Sequence, residues 1–585
     1  MAESKVGRYL AHQQDLEREK QPWLDMYQRL AEMYNTRKAD FTNAANVGAF
    51  LNDNVFSNVP QFAAAMFASV CSSMLWPDAA RSFAIVPKPQ LKGLPQVEAY
   101  FKAVSARMHA AMDNPEAGLS LALGEHFSEQ GIFGISGVAT LEGPEDDGSL
   151  PVTYECWDAK TMFIDEGRRG NVDRVNIKEI KTVRQVYEEY KLNKKPGDRI
   201  SSKVVEAYEQ YRYNDKITVL KIIEPREGAD KNKRGYESMD VRTCHIDVTN
   251  RTMMREGGYE EMPVAVVRAL KRAGEKQGRS YGMIVLPAAV NLNSLSQDII
   301  VGSEIQLFPP LMVLDDGRLG GAVIDTSAKG MTVVNSAGRP FQEKPIQPLH
   351  TVGEMNSAKD LKTQLIEEVM QGFMLDRLLD LNNKTMMTAY ETSVRNRLRG
   401  ESTGSLFSRQ IMELFVPMIR RTFNILYRRG DLGDFPGVKG PGVKQRKDWI
   451  ALGGKDDMIV PDAVLAAVRA GLEVYDIKFI SPAQRFMQAE KLQGMMTSMD
   501  AKLAVAAVSP EIMDGTDLDK WARDVDEFAG APNTSQRTMD ELSAYRQAKS
   551  QRADAGDMLQ AGEVAAGIQQ KSAAARVSLG TMGDK

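Results

Sequence analysis

Between residues 282 and 430, two amphipathic helical patterns flank a short insertion bounded by proline and glycine, and a third, longer helical pattern follows. The first carries Leu292, Leu295, Ile299 and Gly302, then stops at Pro309-Pro310, where missing N–H groups and ring clashes end a helix. The insertion reads as strands at 311–314 and 331–334, broken by Asp315-Asp316-Gly317 and Gly320-Gly321. The second helix places Leu361, Leu365, Val369 and Phe373 on one face. After Asn382-Asn383-Lys384 the third repeats Phe407, Ile411, Leu414 and Met418. Such a layout suits a subunit of a ring or tunnel better than a compact enzyme.

At 585 residues the chain exceeds the size at which one core keeps growing, so several subdomains are expected. Up to about residue 45, Leu10, Leu16, Trp23, Tyr27, Leu30 and Tyr34 recur at helical spacing, with Pro22 as an interruption. Helices follow at 97–112 and 119–132. Strands are expected at 138–142, 152–156, 162–164, 217–223, 239–248 and 262–267, with a short helix at 183–191. The fold class is therefore α+β and multidomain, helices first and a mixed antiparallel sheet after. Beyond a Gly/Pro-rich loop at 431–444, helical segments lie near 461–471 and 481–507. From about 533 the chain is rich in Ala, Gln, Gly and Ser, a composition that orders only if neighbouring copies pack against it.

A hydrophobic fraction of 43%, a charged fraction of 26% and a net charge of −4 describe an ordinary soluble protein and exclude a strongly basic nucleic-acid binder. Cys71, Cys156 and Cys244 are scattered, which fits a reducing compartment. The N-terminus is polar, without the apolar core of a signal peptide, and no run reaches the roughly 18 consecutive apolar residues of a membrane span. Residues 62–76, the most apolar candidate, end at Pro77 and read as a buried helix. Assembly in the cytosol, with no membrane partner, is the expectation.

Common catalytic signatures are missing. Gly453-Gly454-Lys455 is followed by Asp456 and lacks the upstream glycine of a phosphate-binding loop. Gly131, Gly134 and Gly137 mimic a dinucleotide fingerprint, but a helix precedes them and a strand follows, the reverse of the required order; a tight helix-to-strand corner accounts for them. His12, His109, His126, His245 and His350 are far apart, and Cys244-His245 alone cannot complete a tetrahedral metal site. The acidic pairs Asp146-Asp147, Glu188-Glu189, Asp315-Asp316 and Glu367-Glu368 are adjacent and so do not face one another. No catalytic residue, metal or cofactor is expected. The rival is an enzyme with an unrecognised site in the 138–267 sheet region.

From 384 to 429 nine basic residues face three acidic ones. The surplus reads as a solvated face, as pairing with a neighbouring copy, or as contact with a polyanion, with Arg395, Arg397, Arg399 and Arg409 as candidates. Pro417 is expected to kink this helix.

The ordered combination resembles the portal (head-to-tail connector) proteins of tailed bacteriophages, most nearly the short-tailed, T7-like connectors. The residues that carry it are GRSYGMIVLPAAVNLNSLSQDII (278–300), PPLMVLDDG (309–317), MMTAYE (386–391) with RLRGESTGSLFSRQIMELFVPMIRR (397–421), and EHFSEQGIFGISGVATLE (125–142). The resemblance implies an α/β wing at 1–283 with 431–482, stem helices at 284–308 and 351–379, and a small α/β clip at 309–350. It also implies a tunnel loop at 380–388 holding Asn382, Asn383, Lys384 and Thr385, a long kinked wing helix at 389–430, and a crown with a helical, barrel-forming tail at 483–585. Family members form dodecameric rings at one capsid vertex and conduct double-stranded DNA. They dock the terminase large subunit and tail adaptor or gatekeeper proteins, and meet major capsid and scaffolding proteins. The implied location is the virion, after assembly in the host cytoplasm. Another ring-forming adaptor or scaffold without DNA traffic is the second rival.

Overall fold

A computed structural model describes residues 5–42, 53–77, 82–143, 150–192, 197–228, 235–315, 325–335, 346–349, 353, 355–376, 407–451, 453, 458–480, 494–505 and 515–529, with 542, 545, 546 and 549. The chain mixes helix and strand and divides into two compact units, the larger holding residues 1–83, 106–456 and 479–487.

The larger unit opens with α1 (Lys5–Tyr34), which runs unbroken through Pro22 where the sequence pattern led us to expect an interruption. A mid-helix proline costs about 3 kcal/mol, so anchors on both sides must offset it. Before it, Lys20 Nζ donates to three backbone oxygens, of Ala159, Lys160 and Met162, at 2.5, 2.9 and 2.8 Å. After it, Tyr27 and Leu30 are fully buried and Tyr34 Oη donates to Gly282 O at 3.0 Å. Two antiparallel sheets follow where one was expected. The larger is built from β4 (Met162–Glu166), β5 (Val172–Thr182), β6 (Lys216–Pro225), β7 (Val241–Asp247) and β8 (Thr252–Tyr259), in that order. Strand β6 is apolar on both faces because both are covered. Ile217 and Val219 pack under α5 (Val183–Tyr187) and α6 (Ser202–Glu209), whereas Leu220 and Ile222 meet Val6, Tyr9 and Leu10 of α1. The expected helix at 183–191 is α5 followed by a π-turn at Glu188–Leu192.

The smaller sheet has the order β3-β2-β9, from β2 (Ile135–Glu142), β3 (Val152–Trp157) and β9 (Val264–Arg268). Helices α2 (Val59–Leu75), α3 (Pro95–Met112) and α4 (Leu119–Ile132) precede it. The glycine-spaced segment forms the helix-to-strand corner the pattern implied. Gly134 sits at φ +81°, and a β-carbon there would lie 2.5 Å from the Arg279 carbonyl carbon, so only glycine fits.

Next come α7 (Tyr281–Leu307), a three-stranded cap and α8 (Asn356–Gly372). In the cap β10 (Leu311–Asp315) is central. It pairs in parallel with β11 (Met331–Asn335), Leu311 opposite Met331, and antiparallel with β12 (Ile346–Pro348), Leu311 opposite Pro348. The smaller unit, residues 84–105, 457–478 and 488–585, contains most of a two-stranded sheet of β1 (Phe83–Pro87) and β13 (Tyr475–Phe479). It also holds the helices Asp462–Arg469 and Leu518–Ala529.

Candidate assembly surface and its bracing helix

Helix α7 starts from a capped end, Ser280 Oγ accepting from Met283 N at 2.9 Å. Its first half is rooted in the protein, with Tyr281, Val285, Ala288, Ala289, Leu292 and Ser296 buried. Past Ser296 no α7 residue is buried, and aliphatic side chains, Ile300 and Val301 each 46% exposed and Leu307 73%, stand in water there beside Gln297, Asp298, Glu304 and Gln306. Among the described residues this is the one helix long and apolar enough to cross a membrane, yet only 28% of its apolar window is buried. Of the predicted stripe, Leu292 is buried, while Leu295, Ile299 and Gly302 are half-buried.

Helix α8 shows the same asymmetry. Val369 and Phe373 are fully buried, Leu365 is half-buried and Leu361 is exposed. The two helices meet closely at Gly372, where a β-carbon would run into Val285 Cγ2. Phe373 there packs edge-on to Tyr34 at 5.4 Å and beside Phe67 at 6.0 Å. The pair is therefore fixed at its root by aromatic packing and carries the β10–β12 cap at its other end, with Met331 and Ile346 exposed. Exposed aliphatic side chains rimmed by polar ones, where they form one patch, mark a contact with another molecule.

The helix that follows residues 377–406 packs against β2 and β9 of the smaller sheet. Residues 407–410 are helical, Ile411–Phe415 form a π-turn, and Val416–Arg429 continue as an α-helix closed by Gly430 in the left-handed conformation. The π-turn lies directly before Pro417, where the proline removes a donor and crowds the preceding turn. Phe407, Leu414, Phe415, Met418 and Leu426 are buried, and Trp76 stacks on Phe415 at 5.7 Å.

Much of the described basic surplus on this helix is engaged within the chain. Arg421, 3% exposed, donates through Nε to Thr140 O at 2.7 Å and through Nη1 to Glu261 O and Oε2 at 3.0 and 3.1 Å. Burial pulls its pKa down, and the Glu261 carboxylate acts against that. Arg428 bonds Glu261 and Glu142 at 2.8 and 3.2 Å, and Arg429 bonds Asp431 at 3.3 Å. Arg409 donates to Arg268 O at 3.1 Å and lies 3.8 Å from Glu413. Arg420 alone of this described set is exposed. The candidates Asn382, Asn383, Lys384, Thr385, Arg395, Arg397 and Arg399 lie outside the described residues.

Sequence reasoning set the histidines aside, and so missed a buried polar chain. Ser136 Oγ lies 2.8 Å from His126 Nδ1, His126 Nε2 lies 3.0 Å from Gln410 Oε1, and Gln130 Nε2 donates to Val267 O at 2.7 Å. The available signal was three polar residues, His126, Gln130 and Ser136, amid small and apolar ones. Within 138–267, Tyr190 Oη and His245 Nδ1 are 2.7 Å apart but buried, and burial pushes the Cys244 thiol up to about 11, away from a reactive thiolate. Among the described residues no group of three His, Cys, Asp or Glu could hold a metal ion.

Residues 7–535 match the model of the family described as bacteriophage head to tail connecting protein. A protein named probable portal protein, from Bordetella phage BPP-1, is 22% identical over 517 residues, covering 87% of this chain and 84% of the relative. Two solved structures, of the virion and of the neck of a native gene transfer agent particle, are 13% and 12% identical. Each covers 72% of this chain, with 92% and 93% of the other chain matched, at a TM-score of 0.29. Those structural overlaps are too loose to fix the place of any element. The family match spans nearly the whole chain, and this protein belongs to the bacteriophage head-to-tail connecting proteins, the portal proteins of phage virions.

Proposed function

We propose that copies of this chain close into a dodecameric ring at one capsid vertex, through which double-stranded DNA enters during packaging and leaves on ejection. The observation that carries this reading is α7, whose outer half presents Ile300, Val301 and Leu307 to water in a single copy. Side-by-side copies would bury that surface, at about 25 cal/mol per Å² of apolar area removed from water. In this reading α7 and α8 form the stem, the β10–β12 cap forms the clip, and residues 380–388 are the tunnel loop.

Charge supports the same division of labour. A channel must let DNA slide, and every neutralised phosphate adds salt-dependent affinity that a ring would multiply into drag. With arginines 421, 428 and 429 engaged internally, the described part of this helix leaves little to grip the duplex in a chain of net charge −4. Asn382, Asn383, Lys384 and Thr385 would provide the lighter contacts. The clip would dock the terminase large subunit, whose nucleotide hydrolysis drives movement, and later the tail adaptors. Scaffolding and major capsid proteins would meet the wing during assembly in the host cytoplasm. The chain itself would be structural and non-enzymatic.

Negative-stain microscopy of the purified protein tests this reading. A toothed annulus with a central hole is expected; a solitary globule at high concentration sinks it.

A further inference from the structure

The turn joining β4 to β5 carries Arg168 and Arg169 at its two central positions, both exposed. Gly170 N donates to Gly167 O at 2.9 Å and closes the turn. Neither guanidinium has a hydrogen-bonding or ionic partner among the described residues. Two further cations hold the turn from below. Arg268 Nη2 and Lys271 Nζ both donate to Gly170 O, at 2.9 and 2.8 Å, and both bond the one carboxylate of Glu166. Arg268 is 3% exposed. Arg272 is exposed, 3.8 Å from Glu275, which is itself held in two bonds by Arg279. Of the carboxylates beside the turn, Glu166 is already paired with Arg268 and Lys271, and Asp165, next to Asp173, is paired with Lys276.

We infer that this braced arginine turn contacts the phosphate backbone of double-stranded DNA, at a place separate from the loop at 382–385. The inference rests on the reading that the ring conducts DNA. Two observations favour phosphate over an acidic protein. Unpaired adjacent guanidiniums need several acceptors, which a polyanion supplies in series. The segment from Glu166 to Asn171 has no apolar side chain, whereas protein interfaces are anchored by large buried ones. The turn is also tied to the bracing helix: Arg268 N donates to Glu413 at 3.2 Å, and Arg409 donates to Arg268 O. That helix is the element next in sequence to residues 377–406, where the tunnel loop is expected.

The test is fluorescence anisotropy of the assembled protein with two unrelated labelled duplexes of about 30 bp, between about 50 and 200 mM salt. Both duplexes should bind alike, because phosphate contacts carry no base information. Arg168→Ala with Arg169→Ala should weaken both about tenfold and lower the salt slope by about 2, while thermal melting stays unchanged. Unchanged affinity and slope would overturn the inference. So would equal binding of poly-glutamate with equal loss in the double variant, which would assign the turn to an acidic protein. Micrographs of the same samples separate the two levels. Absent rings in the unaltered protein count against the connector reading, whereas intact rings with unaltered DNA binding count only against the turn.

Discussion

His126 Nε2 donates to Gln410 Oε1 at 3.0 Å, joining residues 284 apart in sequence across a fully buried contact. An amide oxygen only accepts, so the proton is on Nε2 and Nδ1 is left to accept from Ser136 Oγ at 2.8 Å. The neutral ring is thereby fixed in one tautomer. It links α4 and β2 to the bracing helix, one residue before its π-turn.

This geometry makes the fold acid-sensitive. Burial pushes the His126 pKa down to about 4 from its ordinary 6.5, with the Gln410 bond acting against the shift. Between those values the unfolded chain takes up a proton that the folded chain does not. The contribution is therefore complete above 6.5 and is lost as pH falls through 4, up to about 3 kcal/mol. His126→Asn should lower the melting temperature at pH 7 and remove that part of its fall between pH 6.5 and 4. Parallel melting curves for the two proteins across this range would refute the assignment.

Arg421→Met should destabilise the larger unit by about 3 kcal/mol, since it strips Thr140 O, Glu261 O and a partly buried carboxylate of their donor. Arg420→Met, one residue away and exposed, should stay within about 0.5 kcal/mol. Calorimetric melting of both variants decides it; equal effects would contradict the inward and outward assignment.

Gly372→Ala would drive a methyl group into Val285 at the root of the helix pair, at a cost of about 1–3 kcal/mol. Pairing it with Val285→Ala should recover part of that loss. Strict additivity in the double-mutant cycle would show that the helices do not cross there.

On the outer half of α7, Val301→Asp should leave single-copy melting within about 0.5 kcal/mol, because the side chain is 46% exposed. Closed rings should disappear from sedimentation profiles. Rings that persist unchanged would place the copy-to-copy contact elsewhere.

The helix pair and its cap could be read from the chain because local rules govern them: 3.6-residue spacing of Leu292, Val369 and Phe373, and a stop at Pro309-Pro310. Features set by distant partners could not. Pro22 looked like a break because the oxygens that receive Lys20 belong to residues about 140 positions away. Strand β5 escaped notice because Arg174, Lys178, Glu179 and Lys181 interrupt its apolar pattern. Those charges are satisfied from neighbouring elements, Lys178 by Glu17 and Lys181 by Glu189. The arginines of the bracing helix looked available for the same reason, since Glu261 is 160 residues from Arg421. Nothing local announces a π-turn, which ends two residues before Pro417.

If copies close into the proposed ring, a newly made one with Ile300, Val301 and Leu307 in water has a short time in which to meet its sisters. Clumping competes with ordered closure and grows with concentration, so the yield of finished vertices should depend on synthesis rate and on a nucleating helper. In such a ring the exposed Ile300, Val301 and Leu307 of Tyr281–Leu307 would make supply and timing part of the architecture.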